Sequence, residues 1–401
     1  MVMTRKKNKE RRGTPPQEKR ERSVLMKKKL RKLFAILFAV SLTMGLNAWA
    51  GNANASILLD GSRLNAQAVL QSQQILLPVR AIAEAMGYQV TWAVKDGIST
   101  AELQKGDDRV TLDLTNGIIQ DNGHHYYAIT NLGSGIQVLE NRTYMDSGLF
   151  DALLGLKSQY DAAAEQVALR RVTENSITIT TEQLTSQQGC LKTTIQYPQV
   201  MGLANSEAQD TVNALMKKAA LDAQSEGQEN AKELEQWIKD ENPGFTAQCE
   251  TYFDYAIPYN QNGLLSIILT DYQYAGGAHG STIQSSYTFD LSTGKMLSLS
   301  DLMERGSGYS TYLNSAVRQE IDKRVTSGDL VEFDQKFSDL GTDPAYYLSN
   351  DGIVFYFQQY EYFPYAAGIQ EFTIPYSNLK DMLKQVYSFL YSDPEVTPSA
   401  G

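Results

Sequence analysis

The segment DYQYAGGAHGS, residues 271–281, and the segment QYEYFPYAAG, residues 359–368, are the most informative stretches of this 401-residue chain. A glycine pair beside a histidine is typical of a loop that needs unusual backbone angles. Tyrosine-rich loops offer a large contact area at low entropic cost, as in protein-recognition surfaces. We therefore predict that the two segments are loops that meet at one partner-binding surface. The predicted contact residues are Tyr274, Gly276, Gly277, His279, Tyr360, Tyr362, Pro364 and Tyr365.

Strand patterns surround the first segment. The runs AQCETYFDYAIPYN, LLSIILTDYQYA and QSSYTFDLSTGKMLSL are separated by turn sequences at Asn262-Gly263 and Thr293-Gly294. This spacing predicts an antiparallel meander. The strand-like runs GIVFYFQQYEY and IQEFTIPY follow further along the chain.

Helix patterns accompany these strands. We predict a long helix that starts at Ser206 with a Ser206/Gln209 capping box, frays near Gly227 and ends before Asn242. Two more helices are predicted, at residues 309–326 and 377–391. A sheet covered by helices makes this region an α+β domain, which we place at residues 181–391 with a tail at 392–401.

Residues 56–157 form a separate unit of two similar halves. The first half contains a turn at Asp60-Gly61 and a helix between Pro78 and Gly87, with one apolar stripe made by Val79, Ile82, Ala83 and Met86. The second half contains a short helix ended by Gly155. We expect a small α/β domain here, then a polar linker at 158–180. His124 and His125 are expected to lie on a surface strand, with their side chains on opposite faces.

The N-terminal region is basic, whereas the rest of the chain is acidic. Residues 1–32 contain 14 Lys or Arg and 3 Asp or Glu, so the remaining chain carries a formal charge of −21. Residues 1–25 are expected to be disordered, or untranslated if Met26 is the true start. An acidic field attracts cationic partners and disfavours nucleic acid.

Residues 26–55 have the pattern of a secretory signal peptide: basic residues, an apolar run, then small residues before Ala50 and Ala55. Cleavage after Ala50 or Ala55 would release the protein outside the membrane. Without cleavage, the run from Leu33 to Ala50 would serve as a membrane anchor. The sequence favours cleavage, so we expect a secreted or envelope-associated protein.

The chain has two cysteines, Cys190 and Cys249, both on the exported side. An even count in an oxidising compartment is compatible with one disulfide, and two free buried thiols are the alternative.

The first unit resembles the N-terminal domain of copper amine oxidases, a stalk-like module. The resemblance lies in Leu77-Pro78-Val79-Arg80, Glu84, Met86-Gly87, Val90 and Trp92. It implies a spacer or a module that contacts the cell wall. The second half diverges, with Met145-Asp146-Ser147 in place of the usual Pro-Leu-Arg element.

The region from about 180 to 390 resembles the extracytoplasmic domain of the lysozyme-sensing anti-sigma factor (RsiV-like) family of Gram-positive bacteria. The resemblance lies in YAGGAHG, in DLSTGKMLSLSDL and in the tyrosine-rich closing segment. It implies a protein partner, a cationic lysozyme-like muramidase.

Enzyme interpretations find little support in the sequence. His279 with Asp271 or Glu361 and Ser281 would be the catalytic group, but no nucleophile-elbow motif is present. No short-spaced His or Cys pattern indicates a metal, and no cofactor is predicted.

We therefore expect a non-enzymatic, exported binding or sensor protein of the cell envelope. A membrane-anchored anti-sigma receptor and a peptidoglycan-processing accessory protein are the alternatives. Residues 1–32 show no amphipathic helix with which to hold a sigma factor. The oligomeric state stays open.

Overall fold

The computed structural model describes residues 53–71, 74–122, 124–126 and 135–391. The predicted leader at 1–25, most of the signal segment at 26–55 and the tail at 392–401 lie outside these residues. The described chain forms two domains with mixed sheets and helices, which confirms the α+β prediction. No described helix combines the length and apolar character needed to cross a bilayer.

The first domain contains two sheets. Its elements are β1 (Ala53–Leu59), β2 (Ser62–Gln71), β3 (Gln74–Pro78), α1 (Val79–Ala85), β4 (Gln89–Lys95), β5 (Ile98–Lys105), β6 (Asp108–Asp113), β7 (Ile118–Asp121), β8 (His124–Tyr126), β9 (Ile136–Leu139), β10 (Arg142–Asp146), α2 (Ser147–Leu154), β11 (Leu156–Asp161) and β12 (Gln166–Arg171). One sheet has the strand order β11-β12-β1-β2-β3-β10-β9, and the other is the meander β4-β5-β6-β7-β8.

Both short helices of this domain pack into one core. Pro78 is the N-cap of α1, and the predicted stripe of α1 is buried, with Ile82 fully inaccessible. Asp146 caps α2 by accepting a hydrogen bond from the Gly148 N–H, and α2 ends at Gly155 as predicted. The core therefore forms where the apolar pattern of the sequence predicts it.

The boundary between the domains differs from the prediction. Strand β12 pairs in parallel with β1, so it completes the first sheet instead of leaving it. Residues 158–171 have polar side chains, but their backbone groups pair with neighbouring strands, so they belong to the sheet and not to a linker. The connection is residues 172–177, and it is shorter than the predicted 158–180.

The second domain also contains two sheets. Its elements are β13 (Thr178–Gln188), β14 (Leu191–Met201), α3 (Ser206–Glu241), β15 (Cys249–Gln261), β16 (Leu264–Ala275), β17 (Ser281–Asp290), α4 (Leu299–Leu302), α5 (Tyr309–Ser327), β18 (Tyr346–Leu348), β19 (Gly352–Phe357) and β20 (Gln370–Pro375). The strand orders are β13-β14-β15-β16-β17 and β18-β19-β20, and β15, β16 and β17 form the predicted antiparallel meander.

The five-stranded sheet is covered on both faces. Val212, Met216 and Ala220 of α3 pack on one face, against residues such as Ile267. On the other face, Tyr347 and other residues of the three-stranded sheet pack against Ala256 and Ile268. Helix α5 buries its apolar side in a further core with β19 and β20.

Three helix predictions need correction. The N-cap of α3 is Asn205, whose side chain accepts hydrogen bonds from two backbone N–H groups, so the cap lies one residue before the predicted Ser206. Helix α3 does not fray at Gly227 but continues through it. The glycine is needed because the helix approaches β15 so closely that a Cβ would clash there. The predicted helix at 377–391 is replaced by two short 3-10 turns, Tyr376–Asn378 and Gln385–Leu390.

The domains are joined by buried polar contacts. His124 Nε2 lies 2.6 Å from Asp254 Oδ1, and both side chains are about 97% or more inaccessible to solvent. The His124 ring also stacks on Tyr255, with 4.1 Å between ring centroids. His124 is therefore an interdomain residue and not the predicted surface residue, because its partner comes from a strand that is distant in sequence. The side chain of His125 lies outside the described residues.

We predict that Gly227→Ala destabilises the protein by about 1–3 kcal/mol, the usual cost of overpacking. A Cβ at residue 227 would lie 1.8 Å from Thr251 Oγ1, whereas Gly→Ala within a helix is normally stabilising. Urea denaturation measures the free energy of unfolding.

The double variant Gly227→Ala/Thr251→Ala is the control for this prediction. It removes the clashing hydroxyl and should recover much of the lost stability. A single Gly227→Ala variant that is as stable as the wild type would contradict the predicted close packing.

Candidate functional site

The two loops singled out in the sequence meet in the structure. The ring of Tyr365 stacks on the ring of His279 with 3.8 Å between centroids and 17° between planes. The hydroxyl of Tyr360 lies 3.2 Å from His279 Nε2. Residues about 80 positions apart thus form one cluster. We call the cluster of Tyr274, Gly276, Gly277, His279, Tyr360, Pro364 and Tyr365 the aromatic loop site.

The first loop connects β16 to β17 through glycines. Gly276 and Gly277 have φ of +85° and +88°, a region that side chains strongly disfavour. The Tyr274 hydroxyl donates a hydrogen bond to the Gly277 carbonyl at 3.3 Å. A Cβ at Gly280 would lie 2.3 Å from the Tyr272 ring, so a third glycine is needed where the loop rejoins the sheet.

Glutamine side chains attach the second loop to the edge of β17. Gln358 accepts a hydrogen bond from the Gln284 N–H at 3.0 Å and donates one to the Gln284 carbonyl at 2.7 Å. Gln359 accepts a third from the Thr282 N–H at 3.3 Å. These side-chain amides pair with backbone groups at the edge of β17, where a neighbouring strand would otherwise pair. No periodic pattern marks them, so sequence reasoning missed them.

Tyr360 holds a strained and exposed position. Its φ is +67°, unusual for a bulky residue, and 55% of its surface is accessible. Such a conformation costs about 1–3 kcal/mol and persists where the surrounding structure enforces it. The Tyr360 N–H donates to the Phe363 carbonyl at 3.1 Å, which closes the turn that presents the ring.

Both nitrogens of His279 have partners. Nδ1 lies 2.8 Å from the Gly280 carbonyl, which can only accept, so Nδ1 carries a proton and donates it. In the neutral ring, Nε2 then accepts from the Tyr360 hydroxyl. The carboxylates considered for a catalytic role are bonded elsewhere. Asp271 accepts from Gln273 Nε2 at 2.7 Å, and Glu361 accepts from the Gln358 N–H at 2.8 Å.

Burial perturbs the acid–base groups near the site. It raises the pKa of Asp271 to about 6 and that of Tyr272 to about 12. Burial, and then the neighbouring Tyr360, also raises the pKa of Tyr365. With these raised pKa values, Tyr272 and Tyr365 remain neutral hydrogen-bonding groups at physiological pH.

Pro364 and Tyr362, the other two predicted residues of the second loop, have supporting positions. Pro364 precedes a 3-10 turn at Tyr365–Ala367 and holds the start of that turn. Tyr362 packs edge-on against Phe357 and Phe337, with centroid distances of 5.0 and 5.7 Å. Tyr362 is half-buried and packs on these core rings, so it supports the second loop more than it extends the exposed surface.

The cysteine pair lies at the same end of the sheet as the glycine loop, because Cys249 of β15 pairs with Ala275, the last residue of β16. Cys190 Sγ and Cys249 Sγ are 2.6 Å apart, and the Cys249 N–H donates to the Cys190 carbonyl. Burial and the neighbouring thiol raise the pKa of Cys249 to about 12. Among the described residues, no cluster of three or more His, Cys, Asp or Glu side chains is arranged to hold a metal ion.

Family models match three parts of the chain. Residues 58–169 match the copper amine oxidase N-terminal domain, which confirms the prediction for the first domain. Residues 184–282 match the model described as deacetylase PdaC. Residues 300–377 match DUF3298, a family described as a protein of unknown function. The aromatic loop site therefore combines residues from two matched regions, because the first loop ends the second match and the second loop lies within the third.

Individual relatives match parts of the chain. The peptidoglycan-N-acetylmuramic acid deacetylase PdaC of Bacillus subtilis is 29% identical over 148 residues, which are 35% of this chain and 31% of that protein. The immunogenic protein MPT64 of Mycobacterium tuberculosis is 25% identical over 169 residues, 38% of this chain and 72% of that protein. An esterase of Mycobacterium tuberculosis is 27% identical over 116 residues, 28% of this chain and 49% of that protein. The chain thus spans about a third of the length of the deacetylase.

One solved structure is a DUF3298 family member from Bacteroides fragilis. It aligns with 54% of this chain and 98% of its own, at 19% identity and a TM-score of 0.44.

We predict that the exported protein contains a Cys190–Cys249 disulfide. The closed loop spans 59 residues, and on the loop-entropy estimate closing it stabilises the fold by about 4 kcal/mol. Thiol titration of the unfolded, unreduced protein should find no free thiol, and reduction should lower the melting temperature. Two titratable thiols in protein secreted under oxidising conditions would contradict the prediction.

Proposed function

We propose that this chain is an exported, non-enzymatic protein of the cell envelope whose aromatic loop site binds a protein partner, a cationic lysozyme-like muramidase. The observation that supports this most directly is the conformation of Tyr360. The fold holds this ring on a strained backbone with more than half of the residue's surface exposed, although its hydroxyl is fixed by His279, so the ring is oriented and still open to a partner. Exposed, rigid tyrosines are typical anchors of protein interfaces.

The groups at the site favour recognition over catalysis. His279 uses one ring nitrogen to hold its own loop and the other to hold Tyr360. The exposed glycine loop adds backbone N–H and C=O groups that a partner can pair with. Such a surface offers apolar contact and directional hydrogen bonds, which together give specificity.

Charge supports a cationic partner. The chain beyond the basic N-terminal segment carries −21. A field of this sign accelerates association with a basic protein and weakens as salt screens it. A muramidase with a basic surface has the required charge.

The homologues indicate a cell-wall-related protein with PdaC and DUF3298 regions. In this setting, the first domain would hold the second near the wall, and direct contact of the first domain with the wall is part of the proposal. The similarity to the deacetylase favours one second candidate, an accessory role in peptidoglycan processing. Hydrolysis of acetyl groups from purified cell walls tests that candidate.

We predict that export removes residues 1–50 and leaves Gly51 as the first residue. Of the two sites found in the sequence, cleavage after Ala55 would remove part of β1, where Ala55 is 1% exposed and pairs with Ala68. Cleavage after Ala50 leaves the strand intact. The intact mass of the secreted protein decides between the two sites, and a mature chain that begins at Ser56 would contradict the prediction.

We predict that the chain from Gly51 onward binds hen-type lysozyme at low salt and that Tyr360→Gly weakens binding by about 30-fold, the loss of one anchor worth about 2 kcal/mol. Glycine keeps the left-handed backbone without strain, so this variant removes the ring and its hydrogen bond to His279 while the backbone turn is preserved. Isothermal titration calorimetry at two salt concentrations measures the affinity.

The matched control is Met296→Gly, which removes an apolar side chain with the same exposed fraction as Tyr360, 55%, beside Phe289 at the opposite end of β17 from the site. It should leave affinity unchanged. Absence of binding by the wild type at low salt, or equal losses in both variants, would refute the proposed role of the aromatic loop site.

A further inference from the structure

Strand β4 is an open edge of the first domain's meander. It stands at the end of the strand order β4-β5-β6-β7-β8, and β5 is the only described strand that pairs with it. Its apolar side chains are uncovered, since Trp92 is 59% exposed and Val94 is 56% exposed. Natural proteins usually protect edge strands with charges, proline or bulges. In β4 only Lys95, beside the turn, serves this purpose.

The exposed side chains continue a buried face. Trp92 pairs with Ala101 of β5, and the next pair on that face is Val90 with Leu103. Ala101 and Leu103 are buried in the core of the first domain. The apolar face of the sheet therefore extends from the buried β5 onto the exposed β4.

The backbone of β4 is also ready to pair. A two-residue turn at Asp96-Gly97 joins β4 to β5 and makes Lys95 and Ile98 a hydrogen-bonded pair. Alternate residues then direct their N–H and C=O groups away from β5, so those of Trp92 and Val94 point outward. Arg80 confirms this direction, because its Nη1 donates to the Val90 carbonyl at 2.9 Å from outside the sheet.

We propose that β4 pairs antiparallel with β4 of a second copy of this chain, about a two-fold axis at Trp92. Full overlap of this seven-residue strand with itself places Trp92 opposite Trp92, Val90 opposite Val94 and Gln89 opposite Lys95. In this register the outward backbone groups of the two strands face one another, and no like charges are opposed. Pairing at Val90 requires the exposed Arg80 side chain to release the Val90 carbonyl. The two meanders become one continuous ten-stranded sheet.

The Trp92 ring is oriented before any partner binds. Its Nε1 donates to Ser99 Oγ at 3.1 Å, across the β4–β5 hairpin. Fixing the ring in advance lowers the entropic cost of burying it. Two such rings, adjacent across the axis, would supply the apolar centre of an isologous interface. This interface lies in the first domain and is independent of the aromatic loop site.

Sedimentation of the chain from Gly51 onward, which contains every described residue, tests the proposal. The wild type should form a dimer as its concentration rises. Trp92→Glu and Trp92→Lys should each lose the dimer, because like charges meet on the axis. Equimolar mixing of the two variants, carrying different affinity tags, should restore a heterodimer that is captured through either tag.

The controls are Trp237→Glu and Trp237→Lys, which place the same charges on exposed α3 and should leave the dimer unchanged. Melting temperatures that are equal at concentrations where the wild type is monomeric exclude loss of folding in the Trp92 variants, because dimerisation itself would raise the melting temperature. A monomeric wild type, a dimer that survives Trp92→Glu, or a monomer whose Trp92 fluorescence responds to soluble wall glycan would each overturn the proposal.

Discussion

Burial of β16 on both faces is the constraint on which the second domain depends. Every residue from Leu264 to Thr270 is buried. Leu265, Ile267 and Leu269 face α3, whereas Ile268 faces the three-stranded sheet. Neither α3 nor the three-stranded sheet alone removes this strand from water, so both must pack on it together. Each aliphatic side chain buried in this way contributes about 2 kcal/mol to the free energy of folding. The same assembly brings the loop after β19 beside the loop after β16, and the aromatic loop site is a consequence of that packing.

A second constraint orients the domains. Asp254 accepts hydrogen bonds from the Tyr252 hydroxyl and from the Tyr255 N–H, and it also contacts His124. At another point of the interface, Lys157 lies 2.6 Å from Asp351. The exposed Lys157–Asp351 pair adds little stability. The buried groups around Asp254 also add little net stability, but a misaligned interface would leave them without partners. The first domain is therefore docked against the second and is more than a flexible spacer.

Local patterns predicted the fold class, the meander and its turns, helix α1 with its stripe, and the pairing of the two candidate loops. They failed where distant contacts decide the outcome. Residues 158–171 look like a linker, yet β1 recruits β12 into the first sheet. The segment at 377–391 has helical spacing, yet it forms 3-10 turns that pack Leu379 and Leu383 into the core. Tyr362 resembles Tyr360 in the sequence, and only the positions of Phe337 and Phe357 show that its ring packs on the core.

Local sequence patterns alone predict the α+β class, the glycines of the turns and the chemical character of the two loops. These properties depend on neighbours a few positions apart, which set backbone angles and side-chain periodicity. The contact of His279 with Tyr360, the strain at Tyr360, the burial of His124 and the open edge at β4 are visible only in the folded chain. Those features depend on which strands pair and which faces meet across long stretches of chain, and a single sequence carries no local signal for such contacts.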